Sequence, residues 1–505
     1  MAQEWENLSD PIFHYAQARP QAVAISDGNE ALDYRALASL VARAGVYLRD
    51  HGIGEGDRIG IALTNSADHV ILLFALLRIG ATPVELSSDD NIDTVAAIAA
   101  KYGIRTIFAE AHAAPIAGVR QIPVGLYWRR EIEGKTGDHR SAAGGDRHRV
   151  IALTTGSTGV PAGWMLTQTH VMQRAATFAM RLPPRAREID TPSHMLVTMS
   201  LRYIWMIANI AFQVGAGDVV VLLPDFTQGP DLLRALAAWD DAIISVTPSI
   251  CRYLLRAAPE TGLLLPRVLS FEVGGLPLHG DEKRAVIERI TPNLFEAYGT
   301  TAAGAITRLV PADILRKPNS VGAPLTGTVV EIVDARGESL PADTIGEIRC
   351  KPPSSLGLCA EDERHGAERV ERIEGGWCYT GDMGCLDPDG YLYIKGRTVD
   401  FIRREGTEFF ASEIEAVIAS YPAVAETAVV ALPSPARGEE IIAFVVKHGA
   451  LDHDELGRYC RARLAPERLP DRVFYIDSLP RIAGQKPDRL RLQALAAAEI
   501  ARKSA

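Results

Sequence analysis

Apolar residues recur at helical spacing near the start of the chain. From Asp33, the positions Leu37, Leu40, Val41, Ala44 and Leu48 share one face of a predicted helix, and after the turn "HGIGEGD" the apolar "RIGIAL" reads as a strand. The alternation continues with a helix over Ala67 to Ile79, a strand in "TPVEL", a helix over Asp93 to Tyr102 and a strand in "TIFAE". It resumes further along with "DVVVLL", a helix over Leu232 to Trp239, "AIISV", a helix over Ser249 to Ala257 and "RVLSFEV". Strands alternating with helices in this way predict two successive α/β lobes with a largely parallel sheet. Glu131 to Arg149 and Cys359 to Glu374 carry charge and glycine without periodicity, which predicts surface loops.

Towards the end the rhythm changes. A helix opened by the capping-box spacing Ser412 to Glu415 precedes strands in "AETAVVAL" and "IIAFVV", a helix over Asp454 to Leu464 and a strand in "RVFYI". This is a small α+β unit of its own. The charged stretch Arg397 to Asp400 marks its boundary, giving domains 1–397 and 398–505 with room for a hinge between them.

The length of 505 residues is too great for one core and agrees with that division. With 63 acidic against 53 basic residues the net charge is -10, which excludes general binding to nucleic acid or an anionic membrane. The six cysteines form no CxxC pair, so neither a zinc site nor a disulfide framework is expected, and reduced thiols in a cytoplasm fit the chain. The most apolar run is broken by Arg78, Gly80 and Pro83, and no export signal or membrane span is expected.

One stretch carries candidate chemistry. "LTTGSTGVPAGWML" concentrates glycine and hydroxyl residues as loops that wrap phosphate do, because glycine lets backbone N–H groups approach and hydroxyls add donors. It lacks the Lys of a Walker loop, since Trp164 follows Gly163, and taken alone it is equally an ordinary turn.

Its neighbours extend the pattern. "VGGLPL", "EAYGTT", "NSVGAPLTG", "GEIRCK", "YTGDMGCLDPDGYLYIKGR", "SEIEAVIASYPAVAETAVV" and "LPRIAGQKPDR" follow in order, and with them nearly the whole chain resembles the adenylate-forming superfamily of acyl-CoA synthetases, peptide-synthetase adenylation domains and luciferases. The tail most resembles a stand-alone acyl-CoA synthetase. The resemblance implies a large N-terminal domain of two α/β lobes plus a β-rich subdomain, and a small mobile α+β C-terminal domain. It implies ATP, Mg2+ and coenzyme A, and a carboxylate that attacks the α-phosphorus before a thiol takes the acyl group.

By the same resemblance, Thr154, Thr155, Gly156, Ser157, Thr158 and Gly159 hold the triphosphate. Tyr298 stacks on adenine against the backbone of Gly274, Gly275, Leu276 and Pro277, with Gly299 and Thr300 beside it and Thr301 at the α-phosphate. Asp382 and Arg397 hold the ribose, Asp400 is the hinge, and Lys486 is the mobile lysine that offsets charge in the transition state. Tyr203, Trp205 and Gly299 border the acyl pocket, and with no acid from Met199 to Asn209 an α-amino acid substrate is disfavoured against a short, medium or aryl acid. Arg202 is a candidate for pairing with a second substrate carboxylate.

The chain departs from the family pattern at three points. Ala162 stands where the phosphate loop usually has Lys, Ala302 stands where a Mg2+-holding Glu usually follows "YGTT", and Gln485 replaces the usual glycine before the lysine. Losing one charge-assisted hydrogen bond of about 1.5 to 3 kcal/mol slows a reaction roughly ten- to a hundredfold, so a weakened enzyme is expected, with Mg2+, Lys486 and Arg403 left to meet the charge. Metal ligands are not legible. Loading of a carrier protein in place of coenzyme A, and an impaired relative that binds a nucleotide or acyl ligand, stay open alternatives.

Overall fold

The computed structural model describes residues 5–504 apart from 88–89, 139, 143, 148, 155–160, 182–192, 224–228, 240, 277, 354–359, 362–371, 405–406, 435–436 and 483–485. These residues divide into two compact units, one drawn from 1–154, 160–329 and 351–366, the other from 330–350 and 367–505. The break expected after Arg397 thus lies inside the second unit, where the β-rich strands before it and the C-terminal elements after it are counted together.

The first unit is built on two sheets. Five parallel strands, in the order Arg149–Thr154, Thr82–Glu85, Arg58–Ala62, Thr106–Glu110 and Arg120–Val124, form most of a seven-stranded sheet, and Ala162–Thr167 turns back antiparallel along its edge. A nine-stranded sheet runs Ala323–Pro324, Gly304–Leu309, Leu294–Thr300, Ser270–Gly274, Ile243–Val246, His194–Val197, Val219–Leu222, Val23–Ser26 and Ala31–Asp33. Its six central strands are parallel, as the alternating helices predict. The lobes are not strictly successive, because Val23–Ser26 pairs with Val219–Leu222.

Local signals explain the helix ends. Helix Tyr34–Asp50 starts where Asp33 accepts from the Ala36 N–H at 2.7 Å, and helix Ala67–Ile79 starts where Ser66 accepts from His69 and stops at Gly80 in the left-handed region (φ 81°). One expected loop is overturned in part: 131–133 belong to helix Leu126–Glu133, whose Trp128 and Ile132 are buried. An eight-residue helix with two apolar anchors is too short to show a period within so charged a stretch. Likewise the ends of the second expected loop form strands Ala360–Glu361 and Arg372–Glu374.

In the second unit, Val329–Val333, Gly346–Lys351, Trp377–Leu386, Arg372–Glu374 and Leu392–Arg397 make a five-stranded sheet. The C-terminal part holds a three-stranded sheet of Val424–Ser434, Gly438–Lys447 and Arg472–Tyr475. Both faces are buried. Val429, Ile441, Ala443 and Val445 pack with Ile414, Ile418 and Leu456, while Ala428, Val430, Ile442 and Phe444 pack with Leu492 and Ala496. Two-sided burial is why these strands read as unbroken apolar runs. The helix before them starts earlier than the expected cap: Glu413 accepts from the Phe410 N–H at 3.2 Å, whereas the Ser412 hydroxyl donates to the Lys395 carbonyl and Glu415 accepts from Val429. The five described cysteines, 251, 350, 378, 385 and 460, are buried. Among the described residues no helix is long and apolar enough to cross a membrane.

Candidate active site

In the first unit the candidate residues gather at the carboxyl ends of adjacent parallel strands, where open α/β sheets leave a crevice for ligands. Strand Ser270–Gly274 runs beside Leu294–Thr300 with Gly274 opposite Ala297. A Cβ on Gly274 would lie 3.1 Å from the Ala297 carbonyl oxygen and 3.1 Å from Cη2 and Cζ3 of Trp205, so glycine lets the indole close against the backbone. Trp205 reaches this point from helix Ile204–Ala216, whose first residue follows Tyr203 at the N-cap. Tyr203 and Trp205 are half-buried, as is Tyr298. Gly275 is left-handed (φ 85°) and a Cβ there would meet nothing. Leu276 follows it, and Pro277 lies outside the described residues.

The turn after Leu294–Thr300 is tightly held. Gly299 pairs with Ala305 and Thr300 with Gly304 on the returning antiparallel strand. A Cβ on Gly299 would sit 2.2 Å from the Gly304 carbonyl oxygen, so this position admits glycine alone. The Thr300 hydroxyl accepts from the Ala303 N–H at 3.1 Å. The buried Arg174 of helix Gln168–Arg181 donates to the carbonyl oxygens of Thr301 (2.9 Å) and Ala302 (2.8 Å). Ala302 is fully buried, and its methyl group offers no ligand where the family pattern has a carboxylate.

Of the phosphate loop, the backbone of Thr154 pairs with Ala162 at the end of strand Arg149–Thr154. Thr155, Gly156, Ser157, Thr158 and Gly159 lie outside the described residues. The chain leaving the loop is anchored: the Pro161 carbonyl accepts from Lys101 Nζ (3.2 Å) and from the Tyr102 hydroxyl (3.1 Å). A Cβ on Gly163 would meet Ile151 at 2.9 Å and that hydroxyl at 3.0 Å, which requires the glycine. Arg202, the candidate partner of a second carboxylate, is buried with its guanidinium 3.7 Å from Asp90, a carboxylate of the chain itself.

In the second unit, Asp382 and Arg397 stand directly opposite on antiparallel strands, Arg397 Nε 3.2 Å from Asp382 Oδ1. Asp382 is buried; its N–H donates to the Thr380 hydroxyl at 3.1 Å, which itself donates to the Ile348 carbonyl. The pair presents a carboxylate beside a half-buried guanidinium, a combination suited to vicinal hydroxyls. Asp400 ends the short turn Thr398–Asp400 and lies 3.3 Å from Arg489 Nε. Arg489 also pairs with Glu415 at 2.8 Å and donates to the Val429 carbonyl. Burial works against the charge, but Glu415 and Asp400 outweigh it and hold this guanidinium above its ordinary range. The Lys486 backbone lies three residues before Arg489, in the short strand Lys486–Pro487 paired with Arg481–Ile482. Arg403 is exposed, and its N–H donates to Glu439.

Three residues named by the geometry were missed by sequence reasoning. Lys101, Tyr102 and Arg174 act through backbone carbonyls far along the chain, and no local spacing signals such a bond. Among the described residues no group of three His, Cys, Asp or Glu side chains could hold a metal.

A family model described as AMP-binding enzyme matches residues 12–356, and one described as AMP-binding enzyme C-terminal domain matches residues 413–486. Among curated proteins, the long-chain-fatty-acid–CoA ligase FadD13 of Mycobacterium tuberculosis is 26% identical over 480 residues, covering 92% of this chain and 93% of the relative. A 2-succinylbenzoate–CoA ligase of Bacillus cereus is 26% identical over 502 residues, covering 97% and 99%. Among solved structures, o-succinylbenzoate CoA synthetase of Bacillus subtilis in complex with its acyl-adenylate intermediate superposes with a TM-score of 0.84 at 24% identity, covering 97% of this chain and 98% of that one. The ATP-bound MatB of Rhodopseudomonas palustris has a TM-score of 0.81 at 23% identity, with the same coverage.

Proposed function

Because the chain belongs to the AMP-binding enzyme family, we propose that it is an ATP-dependent carboxylic acid:CoA ligase working through an acyl-adenylate. The observation that carries this reading is the match of both family models in order, with CoA ligases as relatives over nearly the full chain. A substrate carboxylate oxygen attacks the α-phosphorus of ATP, and the bond from that phosphorus to the bridging oxygen breaks as pyrophosphate leaves. The sulfur of coenzyme A then attacks the acyl carbon, AMP leaves with the oxygen, and the thiol proton passes to solvent.

This chain's residues bind and orient. Trp205, Gly274, Gly275, Leu276 and Tyr298 line the adenine and acyl side of the crevice, with Tyr203 at the pocket rim. Gly299 and Thr300 set the turn that presents Thr301 to the α-phosphate. Asp382 and Arg397 take the ribose hydroxyls, and the stretch Thr154 to Gly159 takes the pyrophosphate. Lys486 donates to the carboxylate and α-phosphate oxygens, where charge develops. Asp400 is the pivot between a domain of 1–397 and one of 398–505. Bound with ATP, Mg2+ would supply counter-charge to the triphosphate and would draw most of its ligands from water and phosphate oxygens, which suits a turn that carries Ala302 in place of a carboxylate.

An acid without a cationic α-amino group suits the pocket, since no carboxylate occurs from Met199 to Asn209, and Arg202 is already matched by Asp90. Short, medium and aryl acids are the substrates to try. A carrier-protein thiol would be handled by the same first step and differs only in the acceptor. The test is acid-dependent exchange of labelled pyrophosphate into ATP across aryl and aliphatic acids. Exchange with a subset of acids is expected; ATP binding without exchange for any acid sinks the reading.

A further inference from the structure

Resting on the adenylation reading, we propose that Arg174 is a positioning residue for transfer at the α-phosphate, and that Arg174 and Ala302 are a matched pair replacing the carboxylate usual after "YGTT". The two donors of one planar guanidinium engage two consecutive carbonyls, those of Thr301 at 2.9 Å and Ala302 at 2.8 Å. A planar fork of this kind fixes the relative orientation of both peptide groups, which a single ammonium does not. The rest of the turn is built around it. Gly304 is left-handed (φ 76°), and a Cβ there would stand 3.3 Å from Arg174 Nε, so glycine makes room for the guanidinium. On the other side the Thr300 hydroxyl holds the Ala303 N–H.

Arg174 is itself placed by its helix. Thr167 and His170 bond reciprocally at the helix start, the His170 N–H to the Thr167 hydroxyl at 3.1 Å and the Thr167 N–H to His170 Nδ1 at 3.2 Å. Gln168 accepts from the Leu8 N–H at 2.8 Å and donates to the Leu77 carbonyl at 3.3 Å. Arg174 is 7% exposed, so its charge is felt locally with little screening.

Ala302 completes the arrangement because it is fully buried and its own carbonyl is one of the two that hold this cation. A glutamate there would bring an acceptor stronger than a carbonyl into reach of Arg174 and draw the guanidinium off the turn. Ala302 therefore marks a site rebuilt around Arg174, whose fixed positive charge lies on the turn that carries Thr301.

The test compares Arg174→Lys, Arg174→Met, Ala302→Glu and the double variant Arg174→Met/Ala302→Glu. Pyrophosphate exchange, thermal stability, and binding of ATP and of adenosine are measured for each. We expect Arg174→Met to lower kcat about a hundredfold with KM for the acid little changed, and Arg174→Lys to recover part of that loss. ATP binding weakens about tenfold in Arg174→Met while adenosine, which has no phosphate, binds as before. Ala302→Glu lowers the exchange rate, and the double variant is more active than Arg174→Met. A rise in exchange on Ala302→Glu with Arg174 intact overturns the proposal, as does an Arg174→Met variant that loses only thermal stability. If the unaltered protein exchanges with no acid, the adenylation reading fails, and the contrast between ATP and adenosine still decides the role of Arg174.

Discussion

Replacing Gly299 by alanine puts one methyl group where the structure has no room. The added Cβ would lie 2.2 Å from the Gly304 carbonyl oxygen and 2.9 Å from the Ala305 Cα, distances that real Cβ contacts do not show. Both obstacles are backbone of the paired strand Gly304–Leu309, so no rotamer relieves the clash. Restoring contact distance separates the strands locally by about 1 Å, and a misplacement of that size at a positioning residue costs roughly a hundredfold in rate. Overpacking of this kind also costs about 1–3 kcal/mol of stability. The assay is the initial rate of acid-dependent pyrophosphate exchange for Gly299→Ala beside its melting temperature. The expected outcome is a rate about a hundredfold lower in a protein that still folds. A full exchange rate would refute the link from strand register through the turn to Thr301, whatever the change in melting temperature.

Other consequences follow from buried charge. Lys283 Nζ lies 2.5 Å from Glu296 Oε2 with both side chains buried, so Lys283→Met leaves an unpaired carboxylate and lowers stability by about 3–5 kcal/mol in a denaturant titration. His170 is held below its ordinary 6.5 by burial and then by Arg174, and its Nδ1 accepts from the Thr167 N–H. The neutral ring therefore contributes stability that is fully present above the unfolded value of 6.5 and is lost as pH falls through the lower folded value. Melting curves of the parent protein decline on that acid side, and those of His170→Gln decline less. An equal decline in both would remove His170 from the account.

The sequence made the α/β order legible because each lobe repeats one unit. Helix Ala67–Ile79 and strand Thr106–Glu110 lie where periodicity places them. Pairing across the chain was not legible: nothing local in Val23–Ser26 says that it joins Val219–Leu222, and Trp128 and Ile132 alone do not announce a helix within a charged stretch. At the site, motif order named Asp382 and Arg397, and the structure sets them 3.2 Å apart on facing strands. It did not name Arg174, whose partners are carbonyl oxygens and so leave no mark on the residue types of 301 and 302. Arg489 was hidden by distance along the chain, since it gathers Asp400 and Glu415 from segments that no local spacing links to it.

The measurement that bears most directly on the central claim is mass-spectrometric detection of products after incubation with MgATP, a panel of aryl and aliphatic acids, and coenzyme A, with Lys486→Ala alongside. The account predicts acid-dependent AMP and pyrophosphate together with the matching acyl-CoA, and a loss of about a hundred- to a thousandfold in the rate of AMP release on removing the Lys486 amine. Formation of ADP and phosphate in place of AMP, or equal AMP release by Lys486→Ala, would contradict it.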